Sequence, residues 1–219
     1  MSEFTPAQEA IIDGLRARRT DLEPCIPGVQ ALTEALTRVY KGGGKLLVCG
    51  NGGSHADAVH IVGELCKSFE RLRPLPSDLH ARLLELPLGE ALAQHLEAGL
   101  PAIALGLNGS LKTAVENDSP LRDMAFAQET QALIKEEDLL IGISTSGNAR
   151  NCLMAMSVAK AHGAVTASLT GPGGGAMAEA ADIAVKAPGD SVKVIQEAHL
   201  AIYHTVCALV EAAFFPDPR

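Results

Sequence analysis

Short apolar runs and amphipathic stretches alternate along this chain. Continuous apolar runs bounded by glycine or polar residues are typical of buried strands, and five occur, at 46–49, 100–107, 138–143, 165–169 and 183–186. The segments between them place apolar residues at helical spacing. Five alternations of strand and helix predict a three-layer α/β/α fold with a mainly parallel five-stranded sheet and right-handed crossovers.

Two helices are predicted ahead of the first strand. One begins at the capping residue Thr5, followed by Pro6, and runs to residue 18. The second runs from residue 26 or 27 to residue 40. Neither has an obvious role in closing a single sheet, so we expect helices 1–41 to pack against another subunit. A long final helix is predicted over 191–214.

The segment 69–100 fits the alternating pattern least well. It contains three prolines and then a helical pattern over 89–100. We interpret it as an insertion, a loop with one or two helices, that covers the surface or contacts another subunit. His80 and His95 lie in it and have no predicted chemical role.

Composition narrows the classes of function. The 219 residues are 47% hydrophobic, which suits a single domain over 1–219. A net charge of −8, no Trp and two Tyr argue against nucleic acid as a partner. Local N–H groups can still bind a small phosphate ester. Five cysteines without metal-type pairing indicate reduced thiols, and no secretory signal or long apolar run is present, so we expect a cytoplasmic protein without a membrane partner.

The turn after the first strand has the features of an anion site. Asn51, Gly52 and Gly53 let the backbone turn sharply, and Ser54 suits the start of the following helix. Backbone N–H groups and the positive end of the helix dipole then face one point. The alternative is a simple chain reversal.

The same helix carries His60 and Glu64, four residues apart and therefore on one face. A histidine and a carboxylate at this spacing can share a metal or a proton-transfer site. In isolation, the pair is also compatible with a hydrogen-bonded histidine beside a solvated glutamate.

A second strand-to-helix turn has the sequence STSGN. The hydroxyls of Ser144, Thr145 and Ser146 can bind phosphate oxygens or merely cap the helix. Asn117 and Asp118 are expected just before a helix that begins at 119 or 120. All these residues follow strands, and ligands of parallel sheets bind at the carboxyl ends of the strands.

Four motifs in order carry a family resemblance. GNGGSHADAVHIVGEL, LLIGISTSGNARN, SLTGPGGGAMAEAADI and IQEAHLAIYH together resemble the sugar isomerase (SIS) domain, most of all its phosphoheptose isomerase branch. The resemblance covers 26–215 apart from the insertion. It implies a flavodoxin-like sheet, a homotetramer, and conversion of sedoheptulose 7-phosphate to D-glycero-D-manno-heptose 7-phosphate with a divalent metal, usually zinc.

The resemblance also assigns roles by position. The substrate-binding residues are Asn51, Gly52, Gly53, Ser54, Asn117, Asp118, Ser144, Thr145, Ser146 and Gln196. The metal and proton-transfer residues are His60, Glu64, Gln196 and His204. Two departures from the family pattern are Ala149, where a serine is expected, and Lys193, where an acid is expected.

The residue types fit an aldose–ketose isomerisation, which moves a proton between C1 and C2. Glu64 is the expected base and His204 its acid/base partner. Gln196 lies eight residues before His204, about 12 Å along a helix, so both reach one metal only with extended side chains or a distorted helix. For His199 we expect a core or interface position.

A second hypothesis is a non-catalytic SIS module, either a phosphosugar sensor or an adaptor resembling the DnaA initiator-associating protein. Such a module has no need for His60, Glu64, Gln196 and His204 together, which favours the enzyme. Isomerisation of another ketose phosphate is a third possibility, because the sequence does not choose among sugars.

Overall fold

The computed structural model describes residues 4–216. Five parallel strands form one sheet in the order β2-β1-β3-β4-β5, the flavodoxin-like order. This confirms the predicted fold class. The strands are β1 Leu46–Gly50, β2 Ala102–Ala104, β3 Leu139–Ser144, β4 Val165–Thr170 and β5 Ile183–Lys186. β2 is shorter than expected, because the chain turns at Gly106, whose φ is +90°.

Ten α-helices surround the sheet in the described part of the chain. They are α1 Pro6–Arg18, α2 Ile26–Lys41, α3 Gly53–Cys66, α4 Ser77–Leu84, α5 Gly89–His95, α6 Gly109–Asp118, α7 Ala125–Leu133, α8 Arg150–Ala161, α9 Gly175–Ala180 and α10 Val192–Phe214. A 3-10 helix, Thr20–Cys25, joins α1 to α2. Thr5 and Gln8 form a capping box at the start of α1, as the sequence suggests.

The sheet separates two apolar cores. Side chains alternate across a strand, so Leu46 and Val48 of β1 face one core while Leu47 and Cys49 face the other. The first core is covered by α1, α2, α3 and α10, and the second by α7, α8 and α9. Both faces of the central strands are therefore apolar, which accounts for their continuous apolar sequences.

The N-terminal helices belong to the first core, so they have a role within one chain that the sequence did not indicate, and their packing against another subunit stays a prediction. Ile12 and Leu15 of α1 and Val29 and Leu36 of α2 are at most 1% exposed within one chain. Helix α1 packs on α10, and α2 packs on α10 and the sheet. The long α10 leaves an apolar surface that the sheet alone does not cover, and α1 covers it.

The segment between α6 and α7 also differs from the prediction. Helix α6 continues to Asp118, and α7 begins only at Ala125 instead of at 119 or 120. The reason is Glu116, whose carboxylate accepts hydrogen bonds from the backbone N–H groups of Asp123 and Ala125 and so caps α7. Asn117 and Asp118 therefore end one helix instead of preceding the next.

Two short helices, α4 and α5, occupy the segment 69–100, as predicted. Its leucines at 72, 79, 84, 86, 88, 92 and 96 are exposed. The segment is anchored by Arg73, whose guanidinium is fully buried and donates to Glu211 on α10 at 2.7 Å. The same guanidinium donates to the backbone carbonyls of Leu65 and Glu64 at the end of α3.

The described residues include all five cysteines, and none of them forms a disulfide. Within 4–216, no helix combines the length and the apolar character needed to cross a bilayer.

Candidate active site

The turn from β1 into α3 brings α3 close to α10. Gly52 has φ +55°, a conformation that glycine adopts without strain, and α3 begins at Gly53. A Cβ atom on Gly53 would overlap the side-chain amide of Gln196. Glycine at this position therefore lets Gln196 lie against the first turn of α3.

The STSGN turn arranges hydroxyls at the start of α8. Ser144 Oγ and Ser146 Oγ lie 3.3 Å apart, and Ser146 Oγ also accepts from the N–H of Asn148 at 3.2 Å. Ala149 is the N-cap of α8 and supplies no side-chain acceptor to the first-turn amides. The N–H groups of Arg150 and Asn151 thus receive no cap from the side chain at position 149, so an anion can accept from them, whereas the Cys152 N–H already donates to Asn151 Oδ1 at 3.0 Å.

A reciprocal amide pair joins the two turns. Asn51 donates to Asn151 Oδ1 at 2.9 Å, and Asn151 donates to Asn51 Oδ1 at 2.8 Å. The pair fixes the turn after β1 against the first turn of α8. Asn151 was not among the predicted site residues, and its place in the first turn of the helix after STSGN was the available signal.

A cleft of about 350 Å³ lies between these turns. It is lined by Asn51, Gly53, Ser54, Ile143, Ser144, Thr145, Ala149, Val192 and Gln196. The structure therefore brings together six of the predicted substrate-binding residues. A volume of this size accommodates a small ligand.

Asn117 and Asp118 lie apart from this group. Both are exposed at the end of α6, and Asn117 Nδ2 donates to Asp118 Oδ1 at 2.8 Å. Neither residue lines the cleft described above. Their role in substrate binding stays a prediction.

A second group of polar side chains lies where α3 meets α10. His60 Nε2 is 2.9 Å from Glu64 Oε1 and 3.4 Å from His204 Nε2. One ligand atom from each of these three residues lies within 4.8 Å of the other two. Two imidazoles and a carboxylate are a donor set that zinc accepts, and they leave a further position for water or substrate. The cluster thus fits a metal ion.

Two residues of this cluster were missed from the sequence. Tyr203, only 4% exposed, places its hydroxyl 2.9 Å from His60 Nδ1. Asp57, one turn before His60 on α3, interacts with the same hydroxyl. The available signal was spacing: Asp57 and His60 share a helix face, and Tyr203 directly precedes His204.

The surroundings of His204 favour its neutral form. Partial burial lowers the pKa of its imidazole, and the nearby His60 and Arg18 lower it further, while Glu64 opposes the shift. His204 also lines a separate cleft of about 350 Å³ between α1 and α10, to which Arg18 and Phe69 contribute. A neutral imidazole that opens on a cleft can accept a proton or bind a metal ion.

The cluster and the first cleft are separated along two parallel helices. Gly53 and His60 lie seven residues apart on α3, as do Gln196 and Tyr203 on α10. Seven residues are about two turns, or about 10 Å. Gln196 therefore lies at the cleft, and its predicted role as a fourth metal ligand stays a prediction.

His199 lies in the core, as predicted. It is fully buried, and its Nε2 lies 3.1 Å from the carbonyl oxygen of Thr170. Burial lowers the pKa of its imidazole. His199 thus supports the packing of α10 and is not part of the site.

Known proteins are similar to this chain in sequence and in fold. A phosphoheptose isomerase from Roseiflexus sp. (strain RS-1) is 35% identical over 209 residues, which cover 95% of this chain and 92% of that protein. One from Aneurinibacillus thermoaerophilus is 39% identical over 186 residues, 85% of this chain and 81% of that protein. The chain belongs to the phosphoheptose isomerase family. The SIS domain description matches residues 121–215.

A solved structure of the family agrees with the fold. The phosphoheptose isomerase from Francisella tularensis superposes with a TM-score of 0.71 at 30% identity, covering 92% of this chain and 94% of that one. The family resemblance inferred from the four motifs and the flavodoxin-like fold expected from it are thus confirmed.

Proposed function

We propose that this protein is a phosphosugar isomerase that converts sedoheptulose 7-phosphate to D-glycero-D-manno-heptose 7-phosphate. The observation that carries the proposal is the convergence of Glu64, His60 and His204 about two helical turns from a cleft lined by hydroxyls and backbone amides. A base and an acid at one end and an anion site at the other suit a long open-chain sugar that bears phosphate far from its carbonyl carbon.

The phosphate group binds in the cleft between the two turns. Ser144 and Thr145 line this cleft, Ser146 is hydrogen-bonded to Ser144, and the N–H groups of the first residues of α8, which Ala149 does not cap, add backbone donors. Local donors suffice although the protein is acidic overall, since charge-assisted hydrogen bonds act at short range. Gln196 and Asn51, which line the same cleft, contact the sugar hydroxyls next to the phosphate.

Glu64 and His204 carry the proton transfers. The Glu64 side chain is only 16% exposed; it removes the proton from one of the two reacting carbons and returns it to the other. His204, whose neutral form its surroundings favour, exchanges a proton with the oxygens of the carbonyl and hydroxyl. A zinc ion held by His60, Glu64 and His204 would polarise the carbonyl oxygen.

A phosphosugar-binding or adaptor role is the alternative. Such a role gives no reason for three potential metal ligands to converge beside a buried tyrosine, so the enzyme is favoured. Lys193, which replaces an expected acid, is exposed in the first turn of α10 and does not line the cleft. The homotetramer that the family resemblance implies, with sites at subunit boundaries, stays a prediction.

The deciding experiment is Glu64→Gln, assayed on a panel of ketose phosphates with and without zinc. The substitution keeps the size of the side chain and removes its basicity, so turnover should fall at least about a hundredfold. Metal content is measured alongside, because Glu64 is also a predicted ligand. Glu179→Gln, on the exposed surface of α9, is the matched control and should retain parental turnover.

Two outcomes would contradict the proposal. Parental activity in Glu64→Gln would show that another group removes the proton. Failure of the parent protein to convert any sugar phosphate, with zinc bound, would favour the binding or adaptor role.

A further inference from the structure

The orientation of the Asn151 side chain is determined by the backbone of α8. Asn151 Oδ1 accepts from the backbone N–H of Cys152 at 3.0 Å as well as from Asn51 Nδ2 at 2.9 Å. A backbone N–H can only donate, so the oxygen of the Asn151 amide, and not its nitrogen, must face Cys152. The two ends of this amide are therefore not interchangeable.

The orientation of Asn51 follows from that of Asn151. The oxygen of Asn151 requires a donor opposite it, which is Asn51 Nδ2. The oxygen of Asn51 then lies opposite Asn151 Nδ2 and accepts from it at 2.8 Å. If the Asn51 amide were reversed, two oxygens would face each other and so would two donors. Asn151 thus fixes the orientation of Asn51.

The remaining hydrogen-bonding capacity of Asn51 is that of an acceptor. An amide NH₂ group has two protons, and Asn51 Nδ2 donates to Asn151 Oδ1 and, at 3.9 Å, to Cys152 Sγ. An amide oxygen accepts two hydrogen bonds, and within residues 4–216 Asn51 Oδ1 accepts only the one from Asn151. Asn51 therefore presents a free acceptor site to a ligand.

This acceptor lies at the proposed phosphate site. Asn51 lines the cleft of about 350 Å³ together with Ser144 and Thr145, whereas Asn151 does not line it. Asn51 also lines a smaller cleft of about 170 Å³, to which neither Ser144 nor Thr145 contributes. A ligand whose phosphate is bound by the STSGN turn therefore has Asn51 beside its phosphate end.

We propose that Asn151 is a positioning residue that holds the side-chain oxygen of Asn51 as the acceptor for the sugar hydroxyl next to the phosphate. The inference deepens the proposed function and rests on it in one respect, namely that the phosphate binds in this cleft. In sedoheptulose 7-phosphate the hydroxyl concerned is on C6. A ligand without a donor at this carbon leaves the Asn51 oxygen unpaired, so it binds less tightly.

Asn151→Ala tests the proposal with two ligands that have no carbonyl and are therefore not turned over. One is a heptitol 7-phosphate with the hydroxyl chain of the sugar, and the other has fluorine in place of its C6 hydroxyl and so has no proton to donate there. By calorimetry, the parent should bind the hydroxyl ligand about 3- to 10-fold more tightly, the scale of one neutral hydrogen bond. In Asn151→Ala this preference should disappear, because only the hydroxyl ligand loses affinity.

The chain offers a matched control in Asn108. Its side chain accepts from the N–H of Leu111 at 3.0 Å and caps α6, so Asn108→Ala also removes an asparagine that accepts from a helix N–H. This variant should leave the affinity for both ligands and the preference unchanged. Equal losses for the two ligands in Asn151→Ala would mean a structural role alone and would overturn the proposal, as would an undiminished preference.

Asn151→Asp is the second variant, for use if Asn151→Ala does not fold. The carboxylate still accepts from the Cys152 N–H but has no N–H for Asn51 Oδ1. The preference should again be lost, while the added charge weakens both ligands alike. A parent that binds the two ligands equally would overturn this proposal alone. A parent that binds neither would overturn the phosphate site as well, and one that binds the heptitol phosphate but converts no sugar phosphate would contradict only the proposed isomerase activity.

Discussion

Arg73→Met should destabilise the protein more than any surface change in the same segment. The guanidinium and the Glu211 carboxylate are both 0% exposed and 2.7 Å apart, so removing the guanidinium leaves the buried carboxylate with no positive partner and only the N–H groups of Phe69 and Glu70 as donors. Such losses cost about 3–5 kcal/mol. The carbonyls of Leu65 and Glu64 also lose a donor, at about 1 kcal/mol each.

The expected loss of about 5–7 kcal/mol is a large share of the roughly 5–15 kcal/mol that is usual for a folded domain. The assay is urea unfolding followed by circular dichroism, since the chain has no Trp. Parent and variant are compared at one protein concentration, because self-association would add to the stability measured.

Arg82→Met in α4 is the control. Its ion pair with Asp78 is about 70% exposed on both sides and should contribute roughly 0.3–0.5 kcal/mol. In Arg73→Met/Glu211→Gln the buried charge is gone, so the double variant should regain part of the loss. A single Arg73→Met variant within about 1 kcal/mol of the parent would refute the reasoning, because the buried charge would then have found water or another partner.

Two further predictions concern the cleft and the core. Replacing Ser144 and Ser146 with Ala should weaken phosphosugar binding at least about tenfold, since hydrogen bonds to a charged group contribute about 1.5–3 kcal/mol each; unchanged affinity by calorimetry would place the phosphate elsewhere. Burial lowers the pKa of His199 below its ordinary 6.5. Near pH 6.5, the imidazole therefore takes up a proton only in the unfolded chain. The free energy of unfolding then falls as the pH drops below 6.5, by at most about 1.4 kcal/mol per pH unit. His199→Gln should reduce the slope of urea midpoints measured between about pH 5 and 7, leaving the part that comes from His204, whose pKa is also lowered. The exposed His80→Gln should not change it, and an unchanged slope in the first variant would contradict the assignment.

The sheet was predictable because its strands are buried on both faces. A short apolar run bounded by glycines, such as that of β1, is typical of a strand that lies between two layers of helices. The first turn of each of the two site helices was predictable from its residue types, since glycine and hydroxyl residues between a strand and a helix are typical of helix caps and of anion sites. The helix pair His60 and Glu64 followed from spacing alone.

Other features depended on contacts between distant parts of the chain. Nothing near Glu116 indicates that its carboxylate caps α7 across a loop, so the helix start was placed too early. The partners of Tyr203 and Asn151 lie more than 90 residues away in sequence, and no local pattern specifies them. The packing of α1 on α10 likewise depends on how much of the α10 surface the sheet leaves exposed.

The parallel packing of α3 and α10 fixes the distance between the cleft and the His60 cluster. On each helix, the residue at the cleft and the residue at the His60 cluster are seven positions apart, namely Gly53 and His60 on α3, and Gln196 and Tyr203 on α10. The helical rise, and not a loop, therefore sets the distance between the two ends of the site. Shortening that distance for a smaller sugar would require removing whole turns from both helices at once. Redesign for other chain lengths is therefore easier at the ends of the site than along its middle.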